Sequence, residues 1–483
     1  MTVPHDIHAL RVAPLRTMER LLMLEHTRLD TRFRAIDLDR LRYALALARM
    51  ERISAEHRTI DLFEDVAPFR HWLIEQLEHH VDAAGERPID WAGLARAIPE
   101  VMRRVGDVRT HLLERHVGEL SETRFEHEIR HRQLVLVLGG GGGAGYPHLG
   151  VFAILSELGL VPKMIVGSSM GAMLGLFRAS MRHYDPLAVA VALPRPSEAG
   201  RLFSPYSGVS RFGFPGTFEL NLRAVATDIF RNMLAKDLPT LAELPIPLRP
   251  VVTGLRTGVG VALGEVESEI TRSRTLLTPL ALRRRSWLLL STIRRMVQNP
   301  RMLSKITFGH DEEVRDYDAV DAVGFSCAVP GILHYDIHDP THPSMRATQR
   351  LMESRQLFRL TDGGVVSNVA SETAWQCVQA GEIQSRNAFI LSFDAFAPGA
   401  NANALYFPVQ RLIREQVLGE RVYADYHHTY RSPLAAVQVL ANLDDIQSCI
   451  AKVRKELDPL RTYLARSLQP LPRWSHLQET HSP

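Results

Sequence analysis

Residues 167–171 contain a serine whose neighbours and spacing suit nucleophilic catalysis. They read Gly-Ser-Ser-Met-Gly, a G-x-S-x-G pattern, and directly follow the apolar segment 164–166. A serine on a sharp turn between a strand and a helix presents its hydroxyl group as a nucleophile. At the helix N-terminus, the dipole would stabilise developing negative charge. The pattern predicts that Ser169 is a nucleophile, with Gly167 and Gly171 permitting the tight turn.

A run of glycines precedes this motif in the chain. The apolar residues Leu134–Leu138 lead into five consecutive glycines, Gly139, Gly140, Gly141, Gly142 and Gly143, with Gly145 just beyond. Glycines bring backbone N–H groups close to a negatively charged atom, which can be a phosphate or an oxyanion. The order strand, glycine loop, helix, strand, serine turn favours a hydrogen-bond donor loop that serves the nucleophile.

Asp362 is the candidate carboxylate. It follows a short predicted strand and precedes Gly363 and Gly364. Polar groups of α/β sites collect at the carboxyl ends of strands. An Asp-Gly pair is also common in ordinary turns, so on the local sequence alone a structural role stays open.

Composition excludes several classes of protein. The 483 residues are 45% hydrophobic and 23% charged, with a formal net charge of +3, which is too small to indicate a nucleic-acid partner. Cys327, Cys377 and Cys449 are scattered without a C-x-x-C pair, which argues against a disulfide framework or a cysteine zinc site. An apolar stretch of about 18 residues, as a membrane span needs, is absent from the sequence. We expect a cytoplasmic protein without cofactor or metal, with peripheral membrane contact allowed.

Periodicity divides the chain into three regions. Residues 1–130 have apolar residues at helical spacing and are predicted to be all helical. Residues 131–400 alternate strand and helix patterns and form the predicted α/β domain. Residues 401–483 read as helical again, including the aromatic stretch around His427 and His428. The helical regions are candidate surfaces for homo-oligomer formation.

Within the α/β domain, individual elements are predicted from apolar runs and turn residues. Strands are expected at 134–138, 163–166, 248–255 and 387–393, and helices at 144–158, 169–180 and within 317–333. Two insertions are expected at about 184–236 and 267–316.

The second insertion contains a basic amphipathic pattern at 279–298. Leucine, isoleucine and methionine residues share one side of a helical wheel, and most of the arginines lie away from it. Such a helix can lie in a membrane interface with its arginines at anionic head groups. It can equally pack on the domain with a solvated basic face.

A possible zinc motif occurs at the end of the N-terminal region. His127, Glu128 and His131 match H-E-x-x-H. The run is charged, and the predicted helix ends within a residue or two. We therefore expect no metal there.

Three motifs together resemble the patatin-like phospholipase family. They are Gly140–Gly145 followed by Tyr146–Val151, the Gly167–Gly171 turn, and Asp362–Gly364, with lesser agreement at Leu238–Pro247, Ala328–Pro330 and Asn368. The resemblance covers roughly residues 134–396 and excludes the helical ends.

The resemblance implies a three-layer α/β/α fold and a lipid acyl hydrolase of the phospholipase A or lysophospholipase type. It implies Ser169 as nucleophile, Asp362 as the base, and the backbone of Gly140–Gly143 as an oxyanion hole. The family commonly has Arg or Lys where this chain has Ala144. Backbone donors do not depend on that side chain, but the loop loses a positive charge.

Three alternatives remain at the level of sequence. A Ser-Asp-His triad could use His427 or His428. The spacing Gly140-x-Gly142-x-x-Gly145 also satisfies a dinucleotide-binding fingerprint, although the acid expected after the second strand is missing. A catalytically inactive relative is the third alternative, suggested by Ala144.

Overall fold

A computed structural model of the chain describes residues 7–28, 33–55, 58–84, 86–206, 208–234, 237–256, 299–397 and 407–479. The predicted amphipathic segment 279–298 lies outside these residues, as does most of the second predicted insertion.

The described residues of the N-terminal region form five helices and one short hairpin. The helices are α1 (Ile7–Arg28), α2 (Ala35–Ala48), α3 (Phe63–Glu78), α4 (Trp91–Arg115) and α5 (Glu122–Arg130). Strands β1 (Arg52–Ser54) and β2 (Thr59–Asp61) pair antiparallel, so the all-helical prediction for this region is wrong at this point. Each strand has only three residues, with Ile53 and Ile60 buried, and such short period-two segments are easily hidden among helical patterns.

Within the part of the chain that the structure describes, a seven-stranded sheet forms the centre of the molecule. Its strands are β3 (Gln133–Leu138), β4 (Met164–Ser168), β7 (Leu248–Arg256), β8 (Leu303–Thr307), β10 (Leu357–Asp362), β11 (Ala388–Asp394) and β12 (Tyr426–Thr429). Their order is β10-β7-β4-β3-β11-β12, with β8 also paired to β7. The neighbours from β7 to β12 run parallel, whereas β8 and β10 are antiparallel to β7. The short strands β5 (Phe203–Pro205), β6 (Phe218–Leu220) and β9 (Leu333–His334) form a separate sheet.

Helices cover both faces of the central sheet. The remaining helices are α6 (Pro147–Glu157), α7 (Met170–Ala179), α8 (Pro186–Ala192), α9 (Ala199–Leu202), α10 (Leu222–Ile229), α11 (Ala319–Ser326), α12 (Pro343–Ser354), α13 (Ser371–Ala380), α14 (Phe407–Glu420), α15 (Leu443–Leu457), α16 (Arg461–Leu468) and α17 (Trp474–Gln478). On β3, Val135 and Val137 belong to one buried cluster together with α13 and α14. Leu134, Leu136 and Leu138 belong to another together with α6, α7 and α15. A strand buried on both faces reads as a continuous apolar run, and the predicted three-layer α/β/α fold is confirmed.

Two segments of the sheet contradict the predictions. Tyr426–Thr429, predicted as helical, is the edge strand β12, which pairs in parallel with β11. Leu303–Thr307, within the second predicted insertion, is strand β8. Both strands depend on partners distant in sequence, and local periodicity carries no information about such pairing. Among the described residues, no helix has the length and apolar character needed to cross a membrane.

Candidate active site

The register of strand β7 brings the ends of β4 and β10 together. Val251 of β7 pairs with Ser168 of β4, and the next residue, Val252, pairs with Asp362 of β10. Strand β8 pairs with β7 from Val251 onward. Because these residues of β7 also pair with β4 or β10, β8 must lie along the opposite edge of β7. Strands β4 and β10 therefore approach each other from opposite directions along one edge. Ser169 follows the last residue of β4 and Asp362 is the last residue of β10, so the two are brought side by side.

Ser169 lies on a strained turn between β4 and α7. Its backbone angles are φ 51° and ψ −125°, and its side chain is largely buried. A positive φ in a residue other than glycine costs free energy and is retained mainly at functional sites. A Cβ atom at Gly167 would lie 2.7 Å from the Ala172 backbone, and one at Gly171 would overlap the carbonyl oxygen of Leu138. Close packing thus leaves no room for a side chain at either glycine of the motif.

The backbone of the turn is held by Ser326, the last residue of α11. The Ser169 N–H group donates to Ser326 Oγ at 3.0 Å, and Ser326 Oγ donates to the carbonyl oxygen of Val251 at 2.7 Å. Ser326 is fully buried. Sequence reasoning missed this residue, because nothing in its local sequence points to the serine turn.

Asp362 has one satisfied and one unsatisfied carboxylate oxygen. Oδ1 accepts a hydrogen bond from the Gly364 N–H group at 2.8 Å. Oδ2 is buried and, within the described parts of the chain, has no partner of full hydrogen-bond geometry. Burial raises the pKa of Asp362 to about 6, against the opposing effect of hydrogen bonding by the Ser169 hydroxyl and the Gly364 N–H. The Ser169 side chain thus lies beside a carboxylate that is more basic than usual.

The glycine loop keeps two backbone donors unused. The Gly140 N–H group donates to the carbonyl oxygen of Asn368 at 3.3 Å, and the Gly143 N–H group donates to that of Ala436 at 3.1 Å. The N–H groups of Gly141 and Gly142 have no acceptor among the residues that the structure covers. A Cβ atom at Gly140 would lie 2.9 Å from Ser169 Cβ, so the loop packs directly against the candidate nucleophile. Two of the four predicted oxyanion donors therefore already donate hydrogen bonds to carbonyl oxygens of the protein.

The remaining motif glycines are placed by tight contacts. A Cβ atom at Gly145 would lie 2.6 Å from Met170 Cγ, directly after the serine. One at Gly363 would overlap the Val251 carbonyl oxygen, and one at Gly364 would lie 2.9 Å from Asp362 Oδ1. These glycines allow the loop and the aspartate turn to close around the site.

Asn368 borders the same space. A Cβ atom at Gly140 and one at Gly364 would each lie 2.9 Å from Asn368 Oδ1. Its Nδ2 atom is buried and lacks an acceptor among the described residues. The sequence indicated Asn368 only through its position after the Asp-Gly-Gly motif, whereas the structure places its amide group between the glycine loop and the aspartate turn.

The two candidate triad histidines lie elsewhere. His427 interacts through Nδ1 with Ser392 Oγ at 2.9 Å, and His428 interacts through Nε2 with Glu456 Oε1 at 2.9 Å. Both lie on β12, three strands away from β4, which corresponds to ~14 Å across the sheet. Burial and the nearby charge of Arg421 lower the pKa of His427 to about 3. The geometry gives no support to a Ser-Asp-His triad that uses either of these histidines.

The H-E-x-x-H residues have a different arrangement from a zinc site. His127 and His131 stack on each other with ring centroids 4.3 Å apart. Glu128 is buried, although the run around it is charged, and accepts hydrogen bonds from Ser385 Oγ and the Asn387 N–H group. Through these hydrogen bonds, its carboxylate stabilises the turn that precedes β11.

The dinucleotide interpretation of the glycine loop also lacks support. A pyrophosphate needs several free N–H groups. Here the Gly140 and Gly143 donors are engaged, and the carbonyl oxygens of Ala436 and Gln438 pack onto Gly142 and Gly143. Carbonyl oxygens at this surface would repel phosphate oxygens.

Comparison with known proteins finds a family match over the α/β part of the chain. Residues 136–375 match the model of the patatin-like phospholipase family. The chain is 39% identical over 84 residues to triacylglycerol lipase ptl3 of Schizosaccharomyces pombe (strain 972 / ATCC 24843), a match that covers 17% of each chain. It is 38% identical over 82 residues to lysophospholipase NTE1 of Candida glabrata, covering 17% of this chain and 4% of the relative. In these matches the chain spans less than a fifth of either relative's length.

The matched range 136–375 contains the glycine loop, the serine turn and the aspartate turn in the predicted order. The chain therefore contains a domain of the patatin-like phospholipase family over residues 136–375.

Proposed function

We propose that this protein is a serine lipid acyl hydrolase that cleaves carboxylic esters of lipids through Ser169 and Asp362. The observation that carries the proposal is the register of β7, in which adjacent residues pair with Ser168 and Asp362. Two side chains far apart in sequence thereby lie beside a loop in which two N–H donors have no acceptor among the described residues.

In the acylation step, Ser169 Oγ attacks the ester carbonyl carbon while Asp362 Oδ2 accepts the hydroxyl proton. An aspartate is normally too acidic for this task, but burial raises the pKa of Asp362 to about 6. The carbonyl oxygen becomes an oxyanion, to which the N–H groups of Gly141 and Gly142 donate. One such donor is typically worth about 3 kcal/mol of transition-state stabilisation.

Collapse of the tetrahedral intermediate breaks the ester bond and leaves an acyl group on Ser169. The departing alkoxide takes the proton from Asp362 and leaves as the alcohol. A water molecule then gives its proton to Asp362 and attacks the acyl-enzyme, which releases the carboxylic acid and restores the serine. Asp362 serves alternately as base and acid, so the mechanism needs no histidine.

A lipid substrate is supported by the site and by the relatives. Ser169 and Asp362 are 9% and 7% exposed, and a water-poor site keeps the carboxylate basic. The two relatives are named as a triacylglycerol lipase and a lysophospholipase. We infer a phospholipase A or lysophospholipase type of reaction.

The test is a panel of phospholipids, lysophospholipids and p-nitrophenyl esters assayed with purified variants. Ser169→Ala and Asp362→Asn are each expected to lower kcat at least about 10³-fold, because each removes a group that takes part in every turnover. Ser197→Ala changes an exposed serine and is the matched control. Activity retained in either site variant would refute the assigned pair.

Membrane contact through 279–298 stays a prediction, because that segment lies outside the described residues. Oligomer formation through the helical regions and a cytoplasmic location likewise stay predictions.

A further inference from the structure

We propose that residues 434–439, here called the C-terminal strap, position the glycine loop for oxyanion stabilisation. The strap connects β12 to α15 and lies outside the family-matched range 136–375. This inference rests on the proposed hydrolase function, and it adds a part of the chain that the motifs do not include.

Two hydrogen bonds join the strap to the loop. The Gly143 N–H group donates to the carbonyl oxygen of Ala436 at 3.1 Å. The hydroxyl group of Tyr146, three residues further along, donates to the carbonyl oxygen of Val439 at 2.9 Å. Tyr146 is 3% exposed, so its hydroxyl has been removed from water, and the loss of its acceptor would be costly.

The loop and strap approach each other so closely that side chains are excluded from the loop. A Cβ atom at Gly142 would overlap the carbonyl oxygen of Ala436, and one at Gly143 would overlap that of Gln438. Gly142 also has φ 53°, a region that glycine adopts without strain. Consecutive glycines are therefore needed here to admit the strap as well as to expose backbone donors.

Two hydrogen bonds within the strap stabilise its conformation. The Gln438 N–H group donates to the carbonyl oxygen of Ala435 at 3.0 Å, and the Ala435 N–H group donates to the Gln438 side-chain Oε1 at 2.7 Å. Leu434 is buried at the start of the strap. The Gln438 side chain is exposed apart from this bond, so its contribution is to close the turn that carries the Ala436 carbonyl oxygen.

Both ends of the strap are fixed to elements that flank the loop. On one side, Tyr430 stacks on Phe393 at the end of β11, with ring centroids 5.4 Å apart. On the other side, α15 packs against α6, the helix that follows the loop. A Cβ atom at Gly150 of α6 would lie 2.7 Å from Val453 Cβ of α15. The strap therefore acts as a fixed bridge.

These contacts fix the positions of the N–H donors of the glycine loop, and we call this arrangement the clamp. The strap holds the Gly143 N–H group and the Asn368 carbonyl oxygen holds that of Gly140, which leaves the Gly141 and Gly142 donors between two fixed points. Oxyanion stabilisation depends on donors that need no reorganisation during the reaction. A loosened clamp should therefore lower kcat while leaving substrate affinity largely unchanged.

The experiment compares a matched pair at position 438. Gln438→Leu removes the side-chain acceptor for the Ala435 N–H group, whereas Gln438→Glu retains one. Tyr146→Phe removes the hydrogen bond to Val439, and Val437→Ser, at a half-exposed position of the strap, is the control. Gln438→Leu and Tyr146→Phe are expected to lower kcat on a p-nitrophenyl ester about tenfold with KM changed less than about twofold. Gln438→Glu and Val437→Ser should keep the wild-type kcat.

Hydrogen–deuterium exchange of peptides covering 139–146 provides a readout that does not need activity. The two loosening variants should exchange faster in this segment, and the two controls should match the wild type. Unchanged exchange would overturn the proposed clamp even in an inactive preparation. A lowered Tm with unchanged kcat would assign the strap a purely structural role and would also overturn it. Failure of the proposed function has a different signature, namely activity that survives Ser169→Ala.

Discussion

At the scale of single residues, the chemistry depends on how far Asp362 is separated from water. Burial raises the pKa of its carboxyl group, and the described residues include no cation paired with it to reverse the effect. The unsatisfied Oδ2 atom is the acceptor that the proposed mechanism requires. A buried carboxylate oxygen without a fully formed hydrogen bond costs free energy, so the feature that makes Asp362 basic also lowers the stability of the fold.

The pH dependence of kcat/KM should report this carboxylate. Asp362 accepts a proton only when it is ionised, so kcat/KM should fall about tenfold per pH unit below its pKa of about 6 and level off above it. Steady-state kinetics from pH 4.5 to 8 provide the measurement. A profile with its midpoint near 7 that disappears in His427→Ala or His428→Ala would instead indicate a histidine base.

Asp362→Asn should stabilise the protein while abolishing activity. The pKa in the folded state, about 6, lies above the ordinary value of 3.8, so between these values the folded state binds the proton more tightly. This proton-linked stabilisation of the folded state is lost as pH rises through 6. Above that pH, the buried ionised carboxylate lowers the free energy of unfolding by about 3 kcal/mol. Urea unfolding should show the variant more stable at pH 7.5 and the difference shrinking towards pH 4. Equal stabilities at both pH values would contradict the raised pKa.

At the scale of elements, three segments meet at the end of β4. Strand β7 sets the register, α11 supplies Ser326, and α7 begins at the serine turn. Ser326 connects two of them, since it accepts from the Ser169 N–H group and donates to the Val251 carbonyl oxygen. The strained backbone of Ser169 is thus held by a side chain that contributes no chemistry of its own.

Ser326→Ala should therefore damage both stability and turnover. It leaves the Ser169 N–H group and the Val251 carbonyl oxygen buried without these partners, which should cost about 1–3 kcal/mol in unfolding free energy. The turn should also relax, so kcat should fall about tenfold or more, since small displacements of reacting groups have large effects. Chemical denaturation and steady-state kinetics measure the two effects. Ser326→Thr retains the hydroxyl group as a comparison, and wild-type kcat in Ser326→Ala would argue against the positioning role.

At the scale of the whole molecule, buried charges join the terminal regions to the sheet. Glu19 of α1 forms ion pairs with Arg42 at 3.4 Å, Arg49 at 2.8 Å and Arg132 at 3.0 Å. Arg132 directly precedes β3 and also pairs with Asp425 at 3.3 Å. Burial alone would raise the pKa of Glu19, but the three arginines outweigh it and lower that pKa to about 2. The N-terminal helices, the sheet and the C-terminal region share one network.

Glu19→Gln should strongly destabilise this assembly. Removal of one partner leaves several buried guanidinium groups with too little negative charge, a change that typically costs about 3–5 kcal/mol. Glu114→Gln, at an exposed position of α4, is the control and should shift stability by less than about 0.5 kcal/mol. The unfolding free energy at pH 7 is the measurement. A loss in Glu19→Gln as small as in the control would show that the network contributes little.

The sequence by itself determined the motifs, the central strands and the fold class. Gly167 and Gly171 could be predicted because the serine turn admits no side chain on either side, a local requirement. Strand β3 could be predicted because burial on both faces requires a continuous apolar run.

Only the tertiary structure decided the pairings between distant segments. It made Tyr426–Thr429 a strand, placed Ser326 behind the nucleophile, and set the C-terminal strap on the glycine loop. In the folded chain, two of the four predicted oxyanion donors, the N–H groups of Gly140 and Gly143, donate to carbonyl oxygens of remote segments. Turns and apolar periodicity are encoded within a few residues. A strand's partner, a hydrogen bond's acceptor and a carboxylate's burial depend on which remote segments pack together.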